Sequence, residues 1–227
     1  MPTSSRFSLE IDRRRLTRIL LGIAGLLVLF HVASVMLGER SWQMTRLFNL
    51  GLETNVPTWF SSALLALGAL AAYGCSQRSP LGRRSIWQMM ALGLLFMSCD
   101  EVAMIHENLT RVLKQNFFQG SFVSTLDLSW WPIFLGPFIL AGVFWLGWNL
   151  RRCLRGRAEV GRLLALGVAL FFGGCMVVEI LTDFFGPDPV SLNFPAQARL
   201  ILEESLEMLG SITLFSALLL YCQEKTS

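Results

Sequence analysis

Apolar residues in this chain arrive in runs that leave few options for a fold. The runs cover positions 19–37, 56–75, 86–99 continued by 102–105, 131–150, 163–178 and 208–221. A helix needs about 20 mostly apolar residues to cross a bilayer. Inside lipid each segment must also satisfy its own backbone N–H and C=O groups, which selects helices. Only 15% of the 227 residues are charged, whereas a soluble domain carries about a quarter. These features predict an all-α polytopic membrane protein, a six-transmembrane-helix bundle. Two of its spans reach full length only when the acidic turns at their ends are counted.

The basic residues orient the bundle. Placing the N-terminus in the cytoplasm puts fourteen of the 19 Lys and Arg on that side, from Arg6 and Arg13 through Arg157 and Arg162 to Lys225. The other side receives Arg40, Arg46, Arg111, Lys114 and Arg199. Both termini are therefore expected in the cytoplasm of a bacterial inner membrane, with basic runs against anionic lipid. The net charge of +3 follows from this topology, and no nucleic-acid partner is expected. The first apolar run is too long for a signal core and lacks a small-x-small cleavage site, so it reads as a retained helix. None of the five cysteines falls in an outer loop, so no disulfide framework is expected. Cys99 and Cys175 read as small residues buried near the acidic layer.

Organisation along the chain is simple. Residues 1–15 form a basic arm, 16–222 one transmembrane domain, and 223–227 a cytoplasmic tail. In the first outer connection, Trp42, Leu47 and Leu50 have the spacing of a short amphipathic helix lying on the membrane. Thr54 or Asn55 is placed to cap the next helix, with Pro57 in its first turn. The loop over 108–130 is rich in aromatics and reads as a lipid-facing skirt. Gly136-Pro137 predicts a kink. Gly173-Gly174 predicts close approach by a neighbour, and the 186–189 segment reads as a turn.

The acids are the informative exception to this apolar pattern. Asp100, Glu101, His106 and Glu107 close the third span; Glu179 and Asp183 close the fifth; Glu203, Glu204 and Glu207 open the sixth. By helical rise, Asp100 lies about 8 Å inside the outer boundary, Glu179 and His31 about 9 Å, and Glu207 about 10 Å. Four helices thus bring polar groups to one depth. A charge in hydrocarbon costs roughly 2.5–3.5 kcal/mol on insertion scales, and neighbouring like charges do not all ionise without compensation. A bound cation, shared protons or a water-filled cavity would supply it.

Two histidines and at least four carboxylates match the ligand inventory of a di-iron or di-manganese bundle site. The usual Glu-x-x-His spacing is absent: Ala103 stands three residues before His106, and Val28 three before His31. A mononuclear site is equally allowed, and oxygen ligands also suit calcium. The candidate metal ligands are His31, Asp100, Glu101, His106, Glu107, Glu179, Glu204 and Glu207. Glu101, Glu179 and Glu207 are the candidate catalytic acids or bases. The cofactor is a divalent metal, iron, manganese, zinc or calcium. Plainer roles stand beside these. His31, alone on an apolar helix, reads more readily as a hydrogen-bonded structural residue than as a ligand, and Glu107, Asp183 and Glu203 read equally as helix-end groups wetted by the interface. Glu53 either folds over the site or caps a helix. No P-loop, Rossmann glycine motif, nucleophile elbow, H-E-x-x-H or C-x-x-C pair occurs.

Three stretches resemble a family of uncharacterised bacterial multipass membrane proteins: Glu53-Thr-Asn-Val-Pro-Thr-Trp-Phe-Ser-Ser, Cys99-Asp-Glu-Val-Ala-Met-Ile-His-Glu and Glu203-Glu-Ser-Leu-Glu-Met-Leu-Gly. That resemblance implies no activity. Asp100-Glu101-Val-Ala-Met is also similar to the Asp-Glu stretch of alkaline ceramidases, membrane zinc hydrolases of lipid amides. Their resemblance implies a three-histidine zinc site, which a chain with two histidines does not supply.

The resulting expectation is a metal-binding pocket in the outer-leaflet half, acting as an enzyme on a membrane lipid or other apolar substrate. A cation or proton transporter using the same carboxylates is the rival reading. A third is an accessory subunit, either homo-oligomeric or paired with a membrane-complex partner.

Overall fold

The computed structural model describes residues 12–37, 42–117, 131–181 and 194–223. The arm over 1–11, Glu39, the aromatics from Phe118 to Trp130, Asp183, the 186–189 turn and Lys225 lie outside the described residues. Among those described, every regular element is helical. In chain order they are α1 (Arg13–Leu37), α2 (Trp42–Phe48), α3 (Val56–Arg78), α4 (Leu81–Ala103), α5 (Ile105–Phe117), α6 (Trp131–Phe134), α7 (Gly136–Cys153) and α8 (Ala158–Phe172). A π-helical turn (Gly173–Val178) extends α8, and α9 (Phe194–Gln223) ends the series.

Among the described residues, five helices are long and apolar enough to cross a membrane: α1, α3, α4, α8 with its extension to Leu181, and α9. The remaining expected span is α7, 18 residues ending in Arg151 and Arg152. It is preceded by a break at Leu135, where the Gly136-Pro137 pair predicts one. The helical part of the first connection is α2, and Asn55 is the residue that caps α3: its side chain accepts from Thr58 N at 3.2 Å, with Pro57 in the first turn.

The 30-residue α9 is the central post, buried along most of its second half. One apolar core joins Leu65, Ala72, Trp87, Leu164, Phe171 and Leu218, from α3, α4, α8 and α9. A second joins Ala24, Leu27, Phe60, Met208 and Ile212, from α1, α3 and α9. Lipid tails are as apolar as these side chains, so close packing and polar contacts do the holding. Ser62 and Ser98 exchange hydrogen bonds between α3 and α4, each hydroxyl donating to the other residue's carbonyl at 2.8 and 2.9 Å. Small residues let α8 and α9 touch: a Cβ on Gly210 would lie 2.5 Å from Phe171 N, and one on Gly174 would lie 2.8 Å from Glu203 O. That second contact is the close approach expected of Gly173-Gly174.

The two ends of the bundle differ in charge. Arg13 donates to Ser216 at one end, where it also pairs with Glu159 at 3.7 Å. Arg78 donates to the Cys222 carbonyl and Arg157 to that of Tyr221, at the same end. The opposite end carries the carboxylates. Cys99 departs from expectation: it is exposed, because its side of α4 faces away from the core.

Candidate functional site

The site begins where α4 stops. Met104 takes a left-handed conformation (φ 50°, ψ 42°), its N–H bonding to Asp100 O, and α5 restarts at Ile105. This fold-back sets His106 over the last turn of α4. Asp100 then accepts twice from one residue, from the His106 backbone N at 2.9 Å and, through its other oxygen, against ring Nδ1 at 2.6 Å. A carboxylate at the exposed N–H groups of a helix start is favoured electrostatically. With Nδ1 engaged, Nε2 is the ring nitrogen left for a proton or a ligand.

The chain continues through aromatics. The His106 ring meets the Trp131 ring edge-on, centroids 4.7 Å apart, and Trp131 Nε1 donates to Glu179 Oε2 at 2.8 Å. Trp131 is held by the short α6, and Glu179 follows the π-helical turn. Such turns displace the following residues around the helix axis and recur at functional sites.

A loop from Asn49 to Asn55 lies beside these groups. The Asn55 amide donates to Asn49 O at 2.6 Å and Leu52 O at 2.7 Å, and Leu50 N donates to His31 Nδ1 at 3.2 Å. The loop carries Glu53. Burial pushes the Glu53 carboxyl above its ordinary value and repulsion from Glu107 and Asp100 adds to this, while His106 and the Thr58 hydroxyl oppose it. Glu53 retains an exposed edge, so solvent screens part of the effect. For His106, burial opposes the charged ring, but the bond to Asp100 and the charges of Asp100, Glu107 and Glu179 outweigh it and raise its pKa.

One cavity of about 1290 Å³ unites these elements. Glu53, Asp100, Glu101, His106, Glu107, Glu179, Glu203, Glu204 and Glu207 all line it. Glu204 lies within electrostatic reach of Glu101, Glu203 and Glu53, and Glu207 within that of Glu204, Glu101, Glu203 and Glu179. Seven of the eight predicted site residues are thus brought to one place. His31 is not. It is fully buried between α1 and the Asn49–Asn55 loop, with Gln197 as a side-chain partner, and does not line the cavity. Among the described residues, no three His, Cys, Asp or Glu side chains converge as a group able to hold a metal ion.

A family model described as Domain of unknown function (DUF8692) matches residues 19–222. The chain belongs to the DUF8692 family. No curated protein and no solved structure matches it. The matched DUF8692 region contains every residue that lines the cavity.

Two features of this DUF8692 site were not read from the sequence. Trp131, which opens the 131–150 apolar run, is the partner of Glu179. The cavity also continues away from the acids, past Leu135, which stands just before the first residue of α7, Gly142 and Leu146 of α7, Gly93 and Met97 of α4 and Leu164 and Val168 of α8, to Trp148 and Arg151. Apolar runs were legible, but not the space between them.

Proposed function

We propose that the protein is a multipass inner-membrane enzyme acting on a lipid or other long apolar substrate, with a divalent cation among its carboxylates. The observation that carries this reading is the cavity's two-part lining: acids and an imidazole at one end, apolar side chains along the rest. Elongated apolar pockets with a few convergent polar groups are the usual form of a site for an apolar substrate. On a reading of six spans, counting α7, with cytoplasmic termini, the acidic end belongs to the outer leaflet.

The roles follow from position. Glu101, Glu204 and Glu207, within electrostatic reach of one another, are the residues that would close on a cation, which would supply counter-charge and Lewis acidity. His106, oriented by Asp100, is the acid or base at Nε2. Glu179, tied to Trp131, holds the aromatic wall against His106. A cation or proton relay across the membrane fits less well, because the lining between Met97 and Trp148 is apolar.

Elemental analysis of detergent-purified protein tests the reading. The expected result is metal near stoichiometry in the wild type, lost in Glu204→Gln and Glu207→Gln and retained in Trp131→Phe. Metal-free wild type that carries proton or cation flux in liposomes would replace this reading with transport.

A further inference from the structure

The apolar arm of the cavity has a shape that the acids do not explain. Helix α7 is buried only at Gly136, Leu150 and Cys153, so it meets the bundle at its two ends and stands off in the middle. The cavity follows it from Leu135 to Arg151, about 24 Å of helix at 1.5 Å per residue, most of a roughly 30 Å hydrocarbon core. Its walls carry Gly93, Gly142 and Gly147, and a Cβ built on any of the three meets nothing within 4 Å. These glycines are therefore not demanded by helix contact, unlike Gly210 or Gly174. Their effect is to widen the groove. At the far end Arg151 stacks over the Trp148 ring, 3.3 Å from its centroid, and closes the run with a charge.

Charge selects the occupant's other end. Eight carboxylates line the acidic end, with His106 the cationic side chain among them; Arg151 lies at the opposite end. Carboxylates packed this closely do not all ionise, and those that do call for a cationic partner. An ammonium group entering from the lipid is a partner of that kind.

We propose that the groove between α4, α7 and α8 holds one hydrocarbon chain of an amine-headed membrane lipid of the phosphatidylethanolamine class, its head at the carboxylates and its chain end limited by Trp148 and Arg151. This rests on reading the cavity as a lipid-handling site. Gly93, Gly142 and Gly147 are then specificity-determining positions, since a side chain at any of them would occupy the path of the chain.

The test uses the full-length protein in nanodiscs with a photoactivatable phosphatidylethanolamine bearing a diazirine at mid-chain, and its phosphatidylglycerol counterpart. Cross-linked peptides are mapped by mass spectrometry. The expected result is adducts on the groove segments of α4, α7 and α8 with the amine-headed probe, and their loss in both Gly147→Trp and Gly93→Leu. Adducts on the exposed Leu26 and Leu29 of α1 should persist in both variants, which reports that they are folded. Equal groove labelling by the phosphatidylglycerol probe, or groove labelling unchanged in both variants, would overturn the assignment. Metal content measured on the same samples separates the two readings: groove adducts without metal would remove the cation and leave the lipid in place.

Discussion

Asp100 binds His106 through both of its carboxylate oxygens, one to the backbone N–H at 2.9 Å and one against the ring Nδ1 at 2.6 Å. The same side chain therefore starts α5 and fixes the imidazole. Replacing it with Asn keeps an acceptor but removes the charge. In Asp100→Asn the His106 pKa should fall toward the ordinary imidazole value, because its main favourable partner is gone. The chain has two histidines, so NMR titration with His106→Gln for assignment reads this directly. The raised folded-state pKa also fixes a sign for stability. This contribution is fully present below the ordinary histidine value and is lost as pH rises through the folded-state value. An unchanged His106 titration in Asp100→Asn would contradict the pairing.

Glu53 should give a signature of the same sign through the same linkage. Its carboxyl is raised by burial and by Glu107, so the folded state holds its proton more tightly than the unfolded chain. Stability should decline as pH climbs from the ordinary carboxylate value through the raised one. Glu53→Gln removes that decline. Melting temperatures in detergent across mildly acidic to neutral pH should show variant and wild type converging at low pH, with the variant higher at neutral pH.

His31 acts on the loop rather than in the cavity. Its Nδ1 is the acceptor for Leu50 N. His31→Leu leaves that N–H buried without an acceptor, which costs about 1–3 kcal/mol. Hydrogen exchange should show faster exchange at Leu50 and Gly51. Metal content should be unchanged, an outcome a ligand role for His31 would not allow.

Two glycines should respond differently to one added methyl. Gly210→Ala forces Cβ to 2.5 Å from Phe171 N, an overpacking of about 1–3 kcal/mol. Gly147→Ala points into open space and should stay within about 0.5 kcal/mol. Thermal unfolding of the two variants in the same detergent compares them.

Much of this architecture is legible in the sequence because lipid imposes length. The apolar runs locate the helices, Asn55 and Pro57 mark the start of α3, and helical rise alone puts Asp100, Glu179 and Glu207 at one level. Rise says nothing about direction around the axis. Helix α1 is apolar on every side, so nothing in its pattern orients His31, and it points to the Leu50 loop instead of the acids. The α4–α5 fold-back is hidden for a different reason: the residue with positive φ is Met104, where glycine or asparagine would have signalled it. Cys99 shares a depth with Asp100 but not a face. The groove was unreadable because glycines that hold helices apart look the same as glycines that bring them together.

The π-helical turn before Glu179 holds one residue more than a regular turn. In a helix without the extra residue, the Glu179 side chain would sit about 100° away around the axis, the angle of one helical step. The Gly167–Leu214 contact deeper in α8 would stay where it is. The π-turn thus sets the direction from which the Glu179 carboxylate meets Trp131, with the rest of the bundle as a fixed mount.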